Sequence, residues 1–249
     1  MHFFKQRIEV SVMKAVSIVG YKKSGKTTLT RKIADALEAR GKTVTIAKFT
    51  HSGLTKPDTD TGYFMKDGRT VIGLGEKECA IHWGEKKMLP DMLPLTQADY
   101  LLVEGGKTLS WLPRIILLRE PEEQEALDRG LAIASFGDLK ATDVPNYTSA
   151  NFDALLDCIE EKAFMLPALD CGACGEETCE AIAQKIVAGK ATMKACKSIN
   201  NSGMTITVNG SPVGLNPFVE NIIRGSIEGM LGSLKGYAPG SKVEIKISK

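Results

Sequence analysis

The stretch Gly20 to Thr27, GYKKSGKT, constrains the fold of this chain more than any other. It matches G-x-x-x-x-G-K-[ST] and lies between AVSIV, an apolar β-branched run of buried-strand type, and TTLTRKIADALEARG, an amphipathic stretch closing on Gly41. A strand, a glycine-rich turn and a helix in that order form a phosphate loop. Glycines let successive backbone N–H groups and the helix amino end face an anion, the Lys26 ammonium reaches the outer phosphates, and the Thr27 hydroxyl is placed to ligate Mg2+. The expected nucleotide-binding residues are Gly20, Tyr21, Lys22, Lys23, Ser24, Gly25, Lys26, Thr27 and Thr28.

Further buried-type runs follow in TVTIAKF, YLLVE, RIILL and LAIAS, with helical EEQEALDRG between the last two and NFDALLDCIEEKAF closing the unit near Phe164. Strands alternating with helices predict an α/β fold of P-loop NTPase type, doubly wound around a mostly parallel sheet. TVIGLG and ECAIHW are expected to pair as a hairpin and give that sheet an antiparallel edge, while the polar stretch 51–68 reads as a loop. A chain of 249 residues has room for one main domain and smaller units. The composition divides it into a nucleotide-binding domain over 1–164, a cysteine module over 165–198 and a small α+β unit over 199–249. In the last unit the helix NPFVENIIRGSIEGMLGSL is expected to pack a stripe of Phe218, Ile222, Ile227 and Leu231 on the strands MTITVNG and KVEIKIS. No function is expected before Met13. A net charge of +2 gives no field directed at nucleic acid or a membrane surface. No apolar run approaches a membrane span or a signal peptide, so the expected location is cytoplasmic.

A phosphate loop calls for a carboxylate at the end of a neighbouring buried strand. In YLLVEGG that residue is Glu104, with direct and water-mediated contact to the metal both open, and Gly105 and Gly106 would let a backbone N–H approach a γ-phosphate. The plainer reading of Glu104 is a strand-end acid paired with Lys107. Asp58 and Asp60 lie in the polar stretch, where order can depend on γ-phosphate and Mg2+. The expected Mg2+ set is Thr27, Asp60 and Glu104, with Lys26 and Glu104 carrying any hydrolysis. No water-positioning group or arginine finger stands out, so turnover is expected to be slow. TKPD, Thr55 to Asp58, mimics a guanine-reading element but precedes Glu104, the wrong order for one, so the residues do not separate GTP from ATP.

Four of the six cysteines fall in Cys171, Cys174, Cys179 and Cys196, spaced C-x2-C-x4-C-x16-C. Four thiolates can enclose a [4Fe-4S] cluster, and Gly172 and Gly175 leave backbone N–H groups able to approach the sulfurs. TCEAIAQKIVAGKATMKAC reads as a helix returning the fourth ligand to the first three. A structural Zn2+ site, which more often shows two C-x2-C knuckles, is the alternative. Cys79 and Cys158 read as buried small apolar residues.

Taken together, IVGYKKSGKTTL, AKFTHSG, DTDTGYF and ADYLLVEGGKTLSWLPRI resemble the P-loop GTPase family of molybdopterin-guanine dinucleotide biosynthesis protein B over about the first 140 to 160 positions. The resemblance implies GTP binding and an accessory role beside the guanylyltransferase that joins GMP to molybdopterin, in molybdenum or tungsten cofactor maturation. The stretch after His51 and the segment Asp60-Thr61-Gly62 depart from that family's pattern. Leu166 to Cys196 resembles a four-cysteine iron-sulfur module found in corrinoid iron-sulfur proteins and membrane electron-transport subunits, which implies a low-potential [4Fe-4S] centre. The implied partners are the guanylyltransferase or another molybdoenzyme maturation protein, a redox partner, and a second copy in a homodimer. Two other readings stay open, a nucleotide-gated electron carrier unrelated to molybdenum and an interaction scaffold with a structural cluster.

Overall fold

The computed structural model describes residues 13–50, 53–54, 59–65, 68–199, 204–208, 211–238 and 240–245. Met1 to Val12, His51 and Asp58 lie outside that set. The first strand, β1 (Lys14–Gly20), runs into helix α1 (Lys26–Ala39) and then β2 (Val44–Lys48). Three short elements follow: helix α2 (Asp60–Phe64) and strands β3 (Val71–Leu74) and β4 (Cys79–His82). The chain then continues through α3 (Leu89–Met92), β5 (Tyr100–Glu104), β6 (Arg114–Leu117), α4 (Glu123–Asp128), β7 (Ala132–Phe136), β8 (Asn146–Tyr147) and α5 (Phe152–Lys162). Beyond these lie α6 (Cys179–Val187), β9 (Ile206–Val208), β10 (Ser211–Val213) and α7 (Pro217–Leu231).

The main sheet has the order β2-β5-β1-β6-β7-β8, and every pairing described within it is parallel. A parallel sheet must be covered on both faces, and its central strands accordingly read as continuous apolar runs. In β1 Ala15, Val16, Ile18 and Val19 are fully buried, as are Leu102 and Val103 in β5. Successive side chains go to opposite faces. Val16, Ile18, Tyr100 and Leu102 meet Leu29, Ile33 and Leu37 of α1 and Leu155 and Ile159 of α5. Ala15, Leu101 and Val103 meet Trp111, Leu131, Phe164 and Leu166 together with Cys179, Ile182, Ala183 and Cys196. The cysteine segment is therefore built onto the second face of the sheet, with α6 as part of its cover.

Several expectations need correction. The hairpin forms, with Ile72 opposite Ile81, but β3 and β4 make a separate two-stranded sheet rather than an edge of the main one. A turn of helix, α2, sits within the stretch read as loop, its start capped by Thr59, whose hydroxyl accepts from the Gly62 N–H at 3.2 Å. The helix through the cysteine segment stops at Val187. Gly189 then takes a left-handed turn at φ 71° and a 3-10 turn, Met193–Ala195, brings in Cys196. Lys242 to Ile245 are not in a strand, and the rest of KVEIKIS is outside the described residues. The β9–β10 hairpin pairs only with itself. Half of the α7 stripe is open to solvent, with Phe218 73% and Ile222 53% exposed, while Ile227 and Leu231 are half-buried and Glu220 is the buried residue of that helix. Cys79 is exposed, whereas Cys158 is buried as expected.

Candidate functional site

The phosphate loop is shaped by contacts that admit little but its own sequence. A Cβ at Gly20 would stand 2.4 Å from Ser24 Oγ and 2.8 Å from the Leu117 carbonyl, closer than real Cβ atoms come. Gly25 caps α1 in the left-handed region, φ 90°, and no side chain caps the helix. The first turn also holds no acidic residue. The amino-terminal N–H groups and the positive end of the helix dipole are left facing the loop, which is the condition for binding an anion. Ser24 Oγ is buried with no hydrogen-bond partner in the structure, a polar atom that a phosphate oxygen would satisfy.

Beside it, Thr27 Oγ1 donates to Glu104 Oε1 at 2.6 Å. Glu104 is only 8% exposed, and Lys48 Nζ meets its other oxygen at 3.3 Å. Parallel pairing explains this meeting, because the register sets Ile18 of β1 and Lys48 of β2 on either side of Glu104. A hydroxyl and a carboxylate in contact are two hard oxygen ligands of the kind Mg2+ takes. Lys26 Nζ donates to the Tyr21 carbonyl at 2.7 Å, and burial lowers its pKa, with Glu104 opposing and Arg119 and Lys48 adding to the fall. After Glu104 the chain turns through two left-handed glycines, Gly105 at φ 87° and Gly106 at φ 66°. The Gly105 N–H is committed to the Ile18 carbonyl at 2.9 Å, so of the two only Gly106 suits the γ-phosphate role expected of them.

The turn is held from below by Arg114. Its side chain is fully buried in β6 and donates to the carbonyls of Leu127, Lys107 and Leu109 at 2.6 to 2.8 Å. Burial brings its pKa down to about 10, with the nearby Arg129 charge acting in the same direction, so it stays charged at neutral pH. Arg129, in the left-handed region after α4, donates to the Lys107 carbonyl at 3.4 Å and pairs with Glu180 of α6.

In the cysteine segment Cys179 and Cys196 are buried, Cys174 is half-buried and Cys171 is exposed. Gly172 and Gly175 take φ 68° and 89°, and Ala168 and Asp170 are also left-handed, so the loop turns repeatedly between Ala168 and Gly175. The Asp170 carboxylate accepts from the Cys179 N–H, and Cys171 Sγ lies 3.2 Å from Ser198 Oγ. Burial pushes the Cys179 and Cys196 thiols up. Backbone N–H groups of Asp170 and Leu169 act on the first, and those of Ser198 and Ile199 on the second, in the opposite direction. Cys174 and Cys171 are close enough to Cys196 to be felt by its charge. Thiolates with amide N–H groups aimed at their sulfurs are the donor set that holds and tunes an iron-sulfur cluster. Among the described residues no group of three or more His, Cys, Asp or Glu side chains, the four cysteines included, is gathered closely enough to hold a metal ion.

A family model described as "Molybdopterin guanine dinucleotide synthesis protein B", MobB, matches residues 15–135, and one described as "Putative Fe-S cluster" matches 166–198. Residues 15–135 are thus similar to that family. A protein of Methanocaldococcus jannaschii named "Putative molybdopterin-guanine dinucleotide biosynthesis adapter protein" is 28% identical over 249 residues, covering 95% of this chain and 99% of that one. The crystal structure of Bacillus subtilis MobB covers 60% of this chain and 97% of its own, at 21% identity and a TM-score of 0.49. The MobB homolog from Bacillus stearothermophilus covers the same shares at 26% identity and a TM-score of 0.45.

Within residues 15–135 Lys26, Thr27 and Glu104 come together, along with the loop residues Gly20 to Thr28. Asp60 opens α2 at the surface, and among the described residues no hydrogen bond or ion pair joins it to Thr27 or Glu104. Lys107 does not pair with Glu104; its ammonium stands over the Tyr21 ring, 3.3 Å from the centroid. The partner of Glu104 is Lys48, which the sequence reading passed over. Its signal was a lysine at the carboxyl end of the strand beside the Glu104 strand. Arg119 was likewise missed. It lies 5.3 Å over the same Tyr21 ring, donates to the Lys22 carbonyl at 3.3 Å and is held through two of its nitrogens by Glu123.

Proposed function

We infer that this chain is a MobB-like adapter of molybdopterin-guanine dinucleotide biosynthesis that binds Mg-GTP at its phosphate loop and carries a [4Fe-4S] cluster. The observation that carries the nucleotide reading is the contact of Thr27 with the buried Glu104 at the mouth of an uncapped helix. Lys26 and the N–H groups of Gly20 to Thr28 hold the phosphates, and Thr27 and Glu104 hold the metal. Lys48 aims Glu104. Bound Mg2+ supplies charge neutralisation between the outer phosphates. Among the described residues no water-positioning group stands at the site, so hydrolysis is expected to be slow and the nucleotide to act through binding.

Cys171, Cys174, Cys179 and Cys196 hold the cluster, which supplies one-electron storage when bound. Among the described residues no helix is long and apolar enough to cross a membrane, which accords with work in the cytoplasm. The partner is the molybdopterin guanylyltransferase or another protein of that maturation route, with a redox partner for the cluster. The outward apolar face of the β3–β4 hairpin, Ile72, Leu74 and Ile81, supports assembly as a homodimer. The test is anaerobic purification with iron, sulfide and zinc analysis, followed by titration with GTP and ATP in the presence of Mg2+. Iron and sulfide in equal amounts with GTP preferred support the reading; zinc in the cysteine segment, or no affinity for either triphosphate, overturns the corresponding half.

A further inference from the structure

The phosphate loop faces more positive charge than its own lysine provides. Lys26, Lys48, Lys107 and Arg119 gather around it, and two carboxylates, Glu104 and Glu123, lie among them. Lys48 is matched by Glu104 and Arg119 by Glu123. Lys26 and Lys107 form no ion pair among the described residues, and both rest on one residue: Lys26 on the Tyr21 carbonyl and Lys107 on the Tyr21 ring. Two ammonium groups in Coulomb range of each other, held only by a carbonyl and an aromatic face, are arranged to receive an anion between them.

We propose that Lys107 is a second phosphate-binding cation, placed to contact the terminal phosphate of a nucleoside triphosphate opposite Lys26. The assignment rests on reading the loop as a triphosphate site, and it adds which phosphate is sensed and by what. Position argues for the terminal group. Lys107 follows the metal-side carboxylate Glu104 by way of two left-handed glycines, so its backbone comes off the metal side of the loop rather than the helix side where the inner phosphates sit. Its main chain is fixed, because the Lys107 carbonyl accepts from both Arg114 and Arg129. The side chain alone is left to move. Leaving the ring face for a phosphate oxygen exchanges a weak cation–π contact for a charge-assisted hydrogen bond. The structure thus supplies in cis, three residues beyond Glu104, a cation that the sequence did not distinguish from a surface lysine.

The test is titration of full-length, anaerobically purified protein with Mg-GTP and Mg-GDP. Lys107→Met is expected to weaken GTP binding about 10- to 100-fold, the worth of one charge-assisted hydrogen bond, with a much smaller change for GDP. Lys107→Arg is expected to keep most of the discrimination. Amine acylation of the wild-type chain, read by peptide mass spectrometry, gives a measurement that needs no variant: Mg-GTP should shield Lys107 and Mg-GDP should not. Equal losses for GTP and GDP, or acylation of Lys107 indifferent to GTP, would overturn the assignment while leaving the site itself standing. A wild-type chain that binds neither nucleotide would overturn the triphosphate reading and the assignment with it.

Discussion

Two stretches rich in aliphatic side chains behave in opposite ways. From Tyr100 to Leu117 the chain buries almost everything it carries, including the charged Glu104 and Arg114. From Glu38 to Asp99 no described residue is buried, and Ile72 and Leu74 are 64% and 84% exposed. The first stretch is held by this chain's own core and places the phosphate site. Beyond β2, which pairs with β5 at the sheet edge, the only sheet among the described residues of the second is a two-stranded ribbon, which is marginal in water without a surface to lie against. Burial is concentrated around the phosphate loop, and apolar surface is left open on the ribbon.

The largest expected effect tests the buried half. Leu102→Ala should destabilise the protein by about 2–5 kcal/mol in chemical denaturation, since Leu102 is fully enclosed between α1 and α5. A smaller effect separates the two halves by function. Glu104→Gln should weaken Mg-nucleotide binding on the order of 10–100-fold by titration, as loss of a group that orders a metal does, while hairpin substitutions leave that affinity unchanged. The smallest is the sharpest for the comparison. Leu74→Ala should shift the stability of the isolated chain by less than about 0.5 kcal/mol, and Ile72→Lys should abolish self-association seen by light scattering at the same stability. A Leu74 cost matching that of Leu102 would break the contrast.

The sheet was legible because a parallel strand covered on both faces has nowhere to put a polar residue, and AVSIV and YLLVE have none to spare except Ser17 and Glu104. The phosphate loop was legible because its chemistry tolerates few residue types. Strand order was not. Only the neighbouring of β2, β5 and β1 brings Lys48 to Glu104, and nothing in AKFT announces which strand it will lie beside. β8, two residues long, is too short to leave a pattern. The periodicity of α7 correctly gave a helix, with Asn216 capping Val219 N–H at 2.9 Å, yet an apolar stripe records only that a helix has a face, not that the same chain will cover it. The cysteine spacing marked candidate ligands, but not that α6 would share a core with β5.

Arg129 touches both halves of the question that one chain raises by having two sites. Its guanidinium grips Glu180, the residue next to Cys179, and reaches the Lys107 carbonyl, while its own carbonyl accepts from Gln184 one turn further along α6. The strut between α6, which opens on Cys179, and the turn after Glu104 is thus a single side chain in length. A displacement of α6 would have no slack to vanish into before it tugged on that turn, and a pull on the turn would draw on the same tether from its other end.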